Sequence, residues 1–295
     1  WNPHSVLWEV TMCVGLYFTV LTLETLPIIG GADWFQERWP KISRWVMSIH
    51  RLAPYLAIAG LGLSMLHQSS LGATYGVLKA RPLWYSPSLS VLFMISAIVG
   101  GISMTLFASM LAARVSNKAN VNDNLIEKLS HFVGWALVVY VYFRFWYAFS
   151  MTYTYEPGRT EGLSLLTSGP LAFNFWFGEI LLGAVVPMII LLKKSWRSMA
   201  WLRMIALAFV VGGLVAYRWD VNLSGQLVVM TYLNEINTLF TSYTPALIEI
   251  VIGAAVVAFG VMAFSMGVQF LKVVDHSSDD HAVEPIVEPV LAAAD

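Results

Sequence analysis

Charge is scarce in this sequence. Only 12% of its 295 residues are Asp, Glu, Lys or Arg, against about 25% in a soluble domain, so there is little material for a solvated surface. With a formal net charge of -1 and no Lys/Arg block interleaved with aromatics, a nucleic-acid partner is excluded. Cysteine is scarcer still. Cys13 stands alone, which rules out an internal disulfide, a Cys-x-x-Cys cluster site and covalently attached haem. An iron–sulfur cluster, if the function needs one, must belong to a partner.

Apolar residues fill the place that charge leaves. They make up 58% of the chain, and the mean hydropathy is +0.68. A helix needs about 20 such residues to cross the ~30 Å hydrocarbon core, where it alone satisfies its own backbone polar groups. Seven stretches qualify, at 5–29, 46–70, 87–112, 130–153, 170–192, 199–217 and 246–271. The expected fold is therefore all-α, a polytopic membrane helix bundle spanning 1–272 and followed by a disordered acidic cytoplasmic tail at 273–295. Trp1 opens the chain in a polar turn that leads directly into a span, which reads as a fragment rather than a natural start.

The Lys and Arg residues give the orientation. Eleven of the 17 collect on one side: Arg38, Lys41, Arg44, Arg114, Lys118, Lys128, Lys193, Lys194, Arg197, Arg203 and Lys272. Lys79, Arg81, Arg159 and Arg218 face the other side, while Arg51 and Arg144 fall within spans. The chain thus starts outside a bacterial or archaeal cytoplasmic membrane and ends in the cytoplasm.

That orientation gathers scattered polar segments at the outer surface. His4 and Ser5 precede the first span, His67 and Gln68 close the second, and Trp84 and Tyr85 open the third. Arg218 to Asn222, including Asp220, close the sixth span. A quinone headgroup suits such a place, since its carbonyls need donors, its ring favours aromatic walls and its tail needs a lipid-open side. A titratable histidine and a carboxylate suit the accompanying proton exchange. Trp84 and Tyr85 are equally compatible with an interfacial aromatic belt, and His67 with a simple interface position.

Ionisable groups inside spans cost about 2.5–3.5 kcal/mol each, so each needs a partner or a purpose. In the first span Glu9, Cys13, Tyr17 and Glu24 lie within about 80° of one another at ~100° per residue. With His50 at the cytoplasmic start of the second span, Glu9, Tyr17 and Glu24 form a candidate proton path; the alternative is a static Glu24–Arg51 pair. Arg144 and Glu179 lie at equal depth on consecutive antiparallel spans and are expected to form a buried ion pair, structural or functional. Gly60, Gly62, Gly100, Gly101, Gly212 and Gly213 permit close helix contacts, and Pro54 and Pro187 are expected to kink their helices.

Two other functions remain open on these residues. A membrane cytochrome b needs paired histidines for haem, and His4 with His67 or His50 with His131 would supply them. A solute transporter would show broken helices or inverted repeats around a midplane site, and neither is evident.

Trp1-Asn2-Pro3-His4-Ser5-Val6, Leu66-His67-Gln68-Ser69-Ser70-Leu71-Gly72 and Pro82-Leu83-Trp84-Tyr85-Ser86-Pro87, together with Glu179 to Gly183, Asp220 to Leu223 and Tyr243-x-Pro245 leading to Glu249, resemble the NrfD/PsrC family of quinone-linked membrane subunits. Within it they are most similar to the HybB-type subunits of periplasm-facing nickel–iron hydrogenases. The resemblance implies a chain without haem or iron–sulfur cluster of its own. It implies exchange of electrons between a menaquinone or ubiquinone pool and a ferredoxin-like iron–sulfur subunit on the outer face, which serves hydrogenase small and large subunits. It also implies proton movement through residues like Glu9 and His67. Family members carry further spans before the Asn-Pro-His-Ser motif, so 1–70 reads as a partial first bundle, 87–217 as a second four-helix bundle and 246–272 as a last span. Many relatives have a third-span glutamate where this chain has Met104 to Ala108.

Overall fold

The computed structural model describes residues 2–115, 122–154, 156–231 and 237–271. Trp1, Lys118, Lys272 and the acidic tail lie outside the described residues. Among those described, seven helices are long and apolar enough to cross a membrane.

The first is α1 (Val6–Gly30), followed by the short α2 (Asp33–Arg38) and α3 (Pro40–Ser48). A single 3-10 turn, Ile49–Leu52, leads into α4 (Ala53–Gly76). Pro54 falls in the first turn of α4, where its missing N–H costs nothing, so it starts the helix rather than kinking it. Next come α5 (Ser88–Val115), α6 (Asp123–Tyr153) and the surface helix α7 (Arg159–Thr167). Asn122 caps α6, its side chain accepting from the Leu125 amide at 3.2 Å.

The fifth span, α8 (Asn174–Leu192), is wound in two ways. Asn174–Val185 is a π-helix and Val186–Leu192 is α-helical. Pro187 lacks an amide and crowds the carbonyl four residues back, that of Gly183; the wide winding ends just before it. Gly183 also sits back to back with Gly213 of the sixth span, too close for a Cβ on either. A short α9 (Lys194–Arg197) precedes α10 (Ala200–Leu227), then strands β1 (Val228–Thr231) and β2 (Asn237–Phe240), and finally α11 (Leu247–Phe270). The strands pair antiparallel, Val228 opposite Phe240 and Thr231 opposite Asn237.

Helix α1 packs on α4, α4 on α5, and α5 on both α6 and α10, with α8 closing against α10 and α6. The core therefore lies among α5, α6, α8 and α10, around Leu92, Phe93, Val133, Leu137, Leu207 and Tyr217. α1 and α4 turn most of their apolar residues outward, and no residue of α11 is buried. Such faces are stable only in hydrocarbon or against another apolar surface.

The sixth helix departs most from expectation. It does not stop at residue 217 but runs ten residues further, to Leu227. Arg218 is thus not a loop charge: it lies within a membrane-spanning helix, nine residues before its end.

Candidate functional site

One end of the bundle is capped by the 77–87 segment. Arg81 donates to the last carbonyls of α10, those of Gln226 at 2.8 Å and Gly225 at 3.3 Å, and Met230 N–H reaches the Ala80 carbonyl at 2.9 Å. Tyr147 donates to the Leu83 carbonyl, and Arg159 to that of Tyr85 at 2.6 Å. Trp84 is 7% exposed, with its indole N–H donated to the Val221 carbonyl at 2.6 Å and its ring 4.6 Å from that of Tyr75. No Cβ fits at Gly225 because the indole occupies that space. Trp84 is therefore part of the core and not an open wall. Tyr85 is half-buried, with the Arg159 guanidinium 5.8 Å from its ring centre.

Below this cap runs a layer of polar side chains. Gln68 lies eight residues before the end of α4, Ser96 eight after the start of α5, and Arg144 and Arg218 nine before the ends of α6 and α10. At ~1.5 Å per residue all four sit about 12–14 Å inside their helix ends.

On the α1–α4 side, Ser70 donates to Glu9 Oε1 at 2.6 Å, tying the first turn of α1 to α4 one turn from His67. His67 is half-buried, and its Nδ1 is enclosed with no hydrogen-bond partner among the described residues. Gln68 Oε1 accepts from Arg218 Nη2 at 3.0 Å. The same nitrogen also reaches Ser96 Oγ at 3.1 Å and the Phe93 carbonyl at 3.3 Å. The guanidinium lies over the Phe93 ring, 3.8 Å from its centre. Tyr75 ties α4 to α10 by donating to Asn222 Oδ1 at 3.1 Å.

On the α6–α8–α10 side, Arg144 and Glu179 form a two-pronged pair, Nε to Oε1 at 2.6 Å and Nη2 to Oε2 at 3.0 Å. Both are almost completely buried, 3% and 1% exposed. Tyr140 donates to Glu179 Oε1 at 2.7 Å, and the rings of Tyr147, Phe175 and Tyr217 lie 5.1–5.3 Å from the Arg144 guanidinium carbon. A bidentate pair with added donors and aromatic walls is the arrangement that offsets the cost of taking two charges out of water.

Asp220 belongs to this second group. Residues 218 and 220 are about 200° apart around α10, so Asp220 turns from His67 towards α8. There its Oδ1 accepts from Asn174 Nδ2 at 2.7 Å, while Oδ2 is enclosed and has no partner among the described residues. Between the two groups lies a cavity of about 20 Å³, lined by Ser96, Tyr140 and Glu179 among apolar side chains.

The remaining expected residues are more dispersed. His4 and His50 are exposed, and Ser5, Tyr17 and Glu24 are half-buried. Ser5 precedes α1 without a capping hydrogen bond from its side chain. Tyr17 faces α4 near Gly60, as the stripe on α1 requires. Glu24 makes no ion pair with Arg51 among the described residues, and Arg51 is exposed. His131 is exposed beside Trp135. Among the described residues there is no group of three or more His, Cys, Asp or Glu able to hold a metal ion.

Sequence reasoning missed Tyr140, Asn174, Tyr217, Ser70 and Ser96, and placed Arg218 outside the membrane. Tyr140 was within reach, because it stands four residues before Arg144 on one helix face. Asn174 and Glu179 are five residues apart, and only the π winding brings both inward.

The geometry defines a class: a polytopic helical membrane subunit with a polar layer beneath one capped end and apolar faces towards lipid. Residues 2–230 match the family model described as polysulphide reductase, NrfD, and the chain belongs to that family. The integral membrane subunit of menaquinone reductase from Nitratidesulfovibrio vulgaris is 25% identical over 287 residues, 92% of this chain and 66% of that protein. A selenate reductase subunit from Mesobacillus selenatarsenatis is also 25% identical, over 79% of this chain and 54% of its own length. A third relative, the "Probable Ni/Fe-hydrogenase 2 b-type cytochrome subunit" of Escherichia coli, is 25% identical over 67% and 47%. The chain thus spans between about half and two thirds of these relatives' lengths.

Proposed function

We propose that this chain is the quinone-reactive membrane subunit of a respiratory oxidoreductase, taking a menaquinone or ubiquinone headgroup beside His67, Gln68 and Tyr85 with His4, Ser5 and Glu9 at its rim. The observation that carries this is the convergence of α1, α4, α5 and α10 on one polar layer under a capped end, with lipid-facing sides through which an isoprenoid tail can enter. The residues fit the group. The orphaned His67 Nδ1 and the open donors of Arg218 match carbonyl acceptors, and the half-buried Tyr75 and Tyr85 offer aromatic surface. A bound quinone supplies two-electron, two-proton redox chemistry. The chain's own residues orient the headgroup, hold water away and exchange protons at His67 and Glu9, with Tyr17, Glu24 and His50 as the proposed route along α1.

The electron partner is an iron–sulfur subunit seated on the capped end, which faces outward, and the hydrogenase small and large subunits are the catalytic pair we assign behind it. Support comes from relatives named as subunits of a menaquinone reductase, a selenate reductase and a hydrogenase. Purifying the complex and assaying hydrogen-dependent quinone reduction tests the assignment. His67→Ala is expected to abolish both turnover and inhibitor binding; intact turnover and binding would remove His67 from the pocket.

A haem-binding reading is favoured by one observation, the b-type cytochrome in the third relative's name. The absorption spectrum of the purified, dithionite-reduced chain decides it, since a bis-His haem gives a sharp α-band.

A further inference from the structure

Arg144, Arg159, Arg197 and Arg203 each meet a carboxylate, those of Glu179, Glu156, Glu127 and Asp123. Arg218 meets none among the described residues, although it lies in the middle of the polar layer. All three of its hydrogen bonds use Nη2 and go to neutral acceptors. Among the described residues Nε and Nη1 make no hydrogen bond, and they are not sealed in by protein. A cation held in a membrane helix without a counter-charge is costly. Here the protein clamps one nitrogen with Gln68 and Ser96, lays the plane over Phe93 and leaves the other donors open.

From this, and resting on the quinone-linked function proposed above, we infer that Arg218 is the anion-reading residue of the headgroup site. It presents an open N–H donor, Nε–H on one edge of the guanidinium or Nη1–H on the other, to a headgroup oxygen and favours ligands that carry negative charge there. Gln68 and Ser96 are then positioning residues, which hold the guanidinium without neutralising it. Asp220 stays out of the site because it points to α8. A planar guanidinium held by its Nη2 keeps its remaining donors fixed in direction towards an oxygen of growing charge, whereas a lysine would act only as a point charge.

The test compares two naphthoquinones in the full-length chain within its membrane complex, reconstituted in nanodiscs, by equilibrium binding. One is neutral 1,4-naphthoquinone; the other is 2-hydroxy-1,4-naphthoquinone, ionised at neutral pH. The wild type is expected to prefer the anion. Arg218→Gln is expected to lose about tenfold in affinity for the anion and little for the neutral ring, while Arg218→Lys keeps part of the preference. Ser96→Asp gives Arg218 an internal counter-charge and is expected to mimic Arg218→Gln, which supplies an answer even where the Arg218 variants do not assemble. Undiminished preference for the anion in Arg218→Gln or Ser96→Asp overturns the assignment. If the wild type binds neither compound, the quinone function itself fails.

Discussion

Glu179 and Arg144 neutralise each other inside the bundle, and removing either leaves the other charged in a place without water. Glu179→Gln is expected to destabilise the chain by about 3–5 kcal/mol, read as a fall in melting temperature in detergent. Replacing both by Met is expected to recover most of that loss, because the cost lies in the orphaned charge rather than in the missing pair. The cavity between Ser96, Tyr140 and Glu179 exceeds the ~10–15 Å³ that one water needs. An experimental density map is therefore expected to show a single ordered water there. At this scale the sequence was informative wherever depth alone decided the outcome. Counting residues from the span ends matched Arg144 with Glu179. Arg218 was misplaced because Arg218-Trp219-Asp220 has the composition of a helix leaving the membrane, while Arg218 Nη2 and Asp220 Oδ1 find their partners inside the bundle, in Gln68, Ser96 and Asn174. Trp84 was legible as an aromatic at the interface, but not as a core residue, since that depends on the bare backbone of Gly225 opposite.

The pairing of Trp84 with Gly225 fixes the 77–87 segment onto α10. Gly225→Ala would drive the indole out of its place and break its bond to Val221. The expected loss is about 3 kcal/mol, of the size seen when a large core side chain is removed, with a red shift in tryptophan emission as the measurement. The spans were readable as elements because lipid demands long apolar runs, and six of the seven expected stretches coincide with their helices to within a turn or two at each end. The π winding of α8 was not readable: Pro187 signals a disturbance, but the choice between a kink and a wider helix depends on Gly183 meeting Gly213. The β1–β2 hairpin was missed because Val228 to Thr231 is only four residues long and follows a helix without a turn signal.

Seen as a whole, the chain has an asymmetric charge distribution that the structure sharpens. With Arg218 inside a span, the basic residues on the capped side among the described residues are Lys79, Arg81 and Arg159, while Arg38, Lys41, Arg44, Arg114, Lys128, Lys193, Lys194, Arg197 and Arg203 lie at the other end. By the positive-inside rule we propose that the capped end lies outside. A cysteine introduced at Ser86 is thus less informative, being buried, than one at Pro87, which is exposed. Pro87→Cys is expected to react with an impermeant maleimide added to intact cells, and Ser198→Cys only after lysis. The opposite pattern would invert the topology. Because α11 buries none of its residues, truncation before Leu247 is expected to leave the melting temperature of the remainder within about 2 °C.

These labelling experiments need almost no preparation, for a reason already present in the chain. Cys13 is its single thiol and is 3% exposed, on the stripe of α1 that faces α4. At rest it is silent towards bulky reagents. Any movement that parts α1 from α4, such as a headgroup wedging between Glu9 and Ser70, would bring it within reach. The protein therefore carries its own clock for that opening, and the rate at which Cys13 is modified, with and without quinone, would time it.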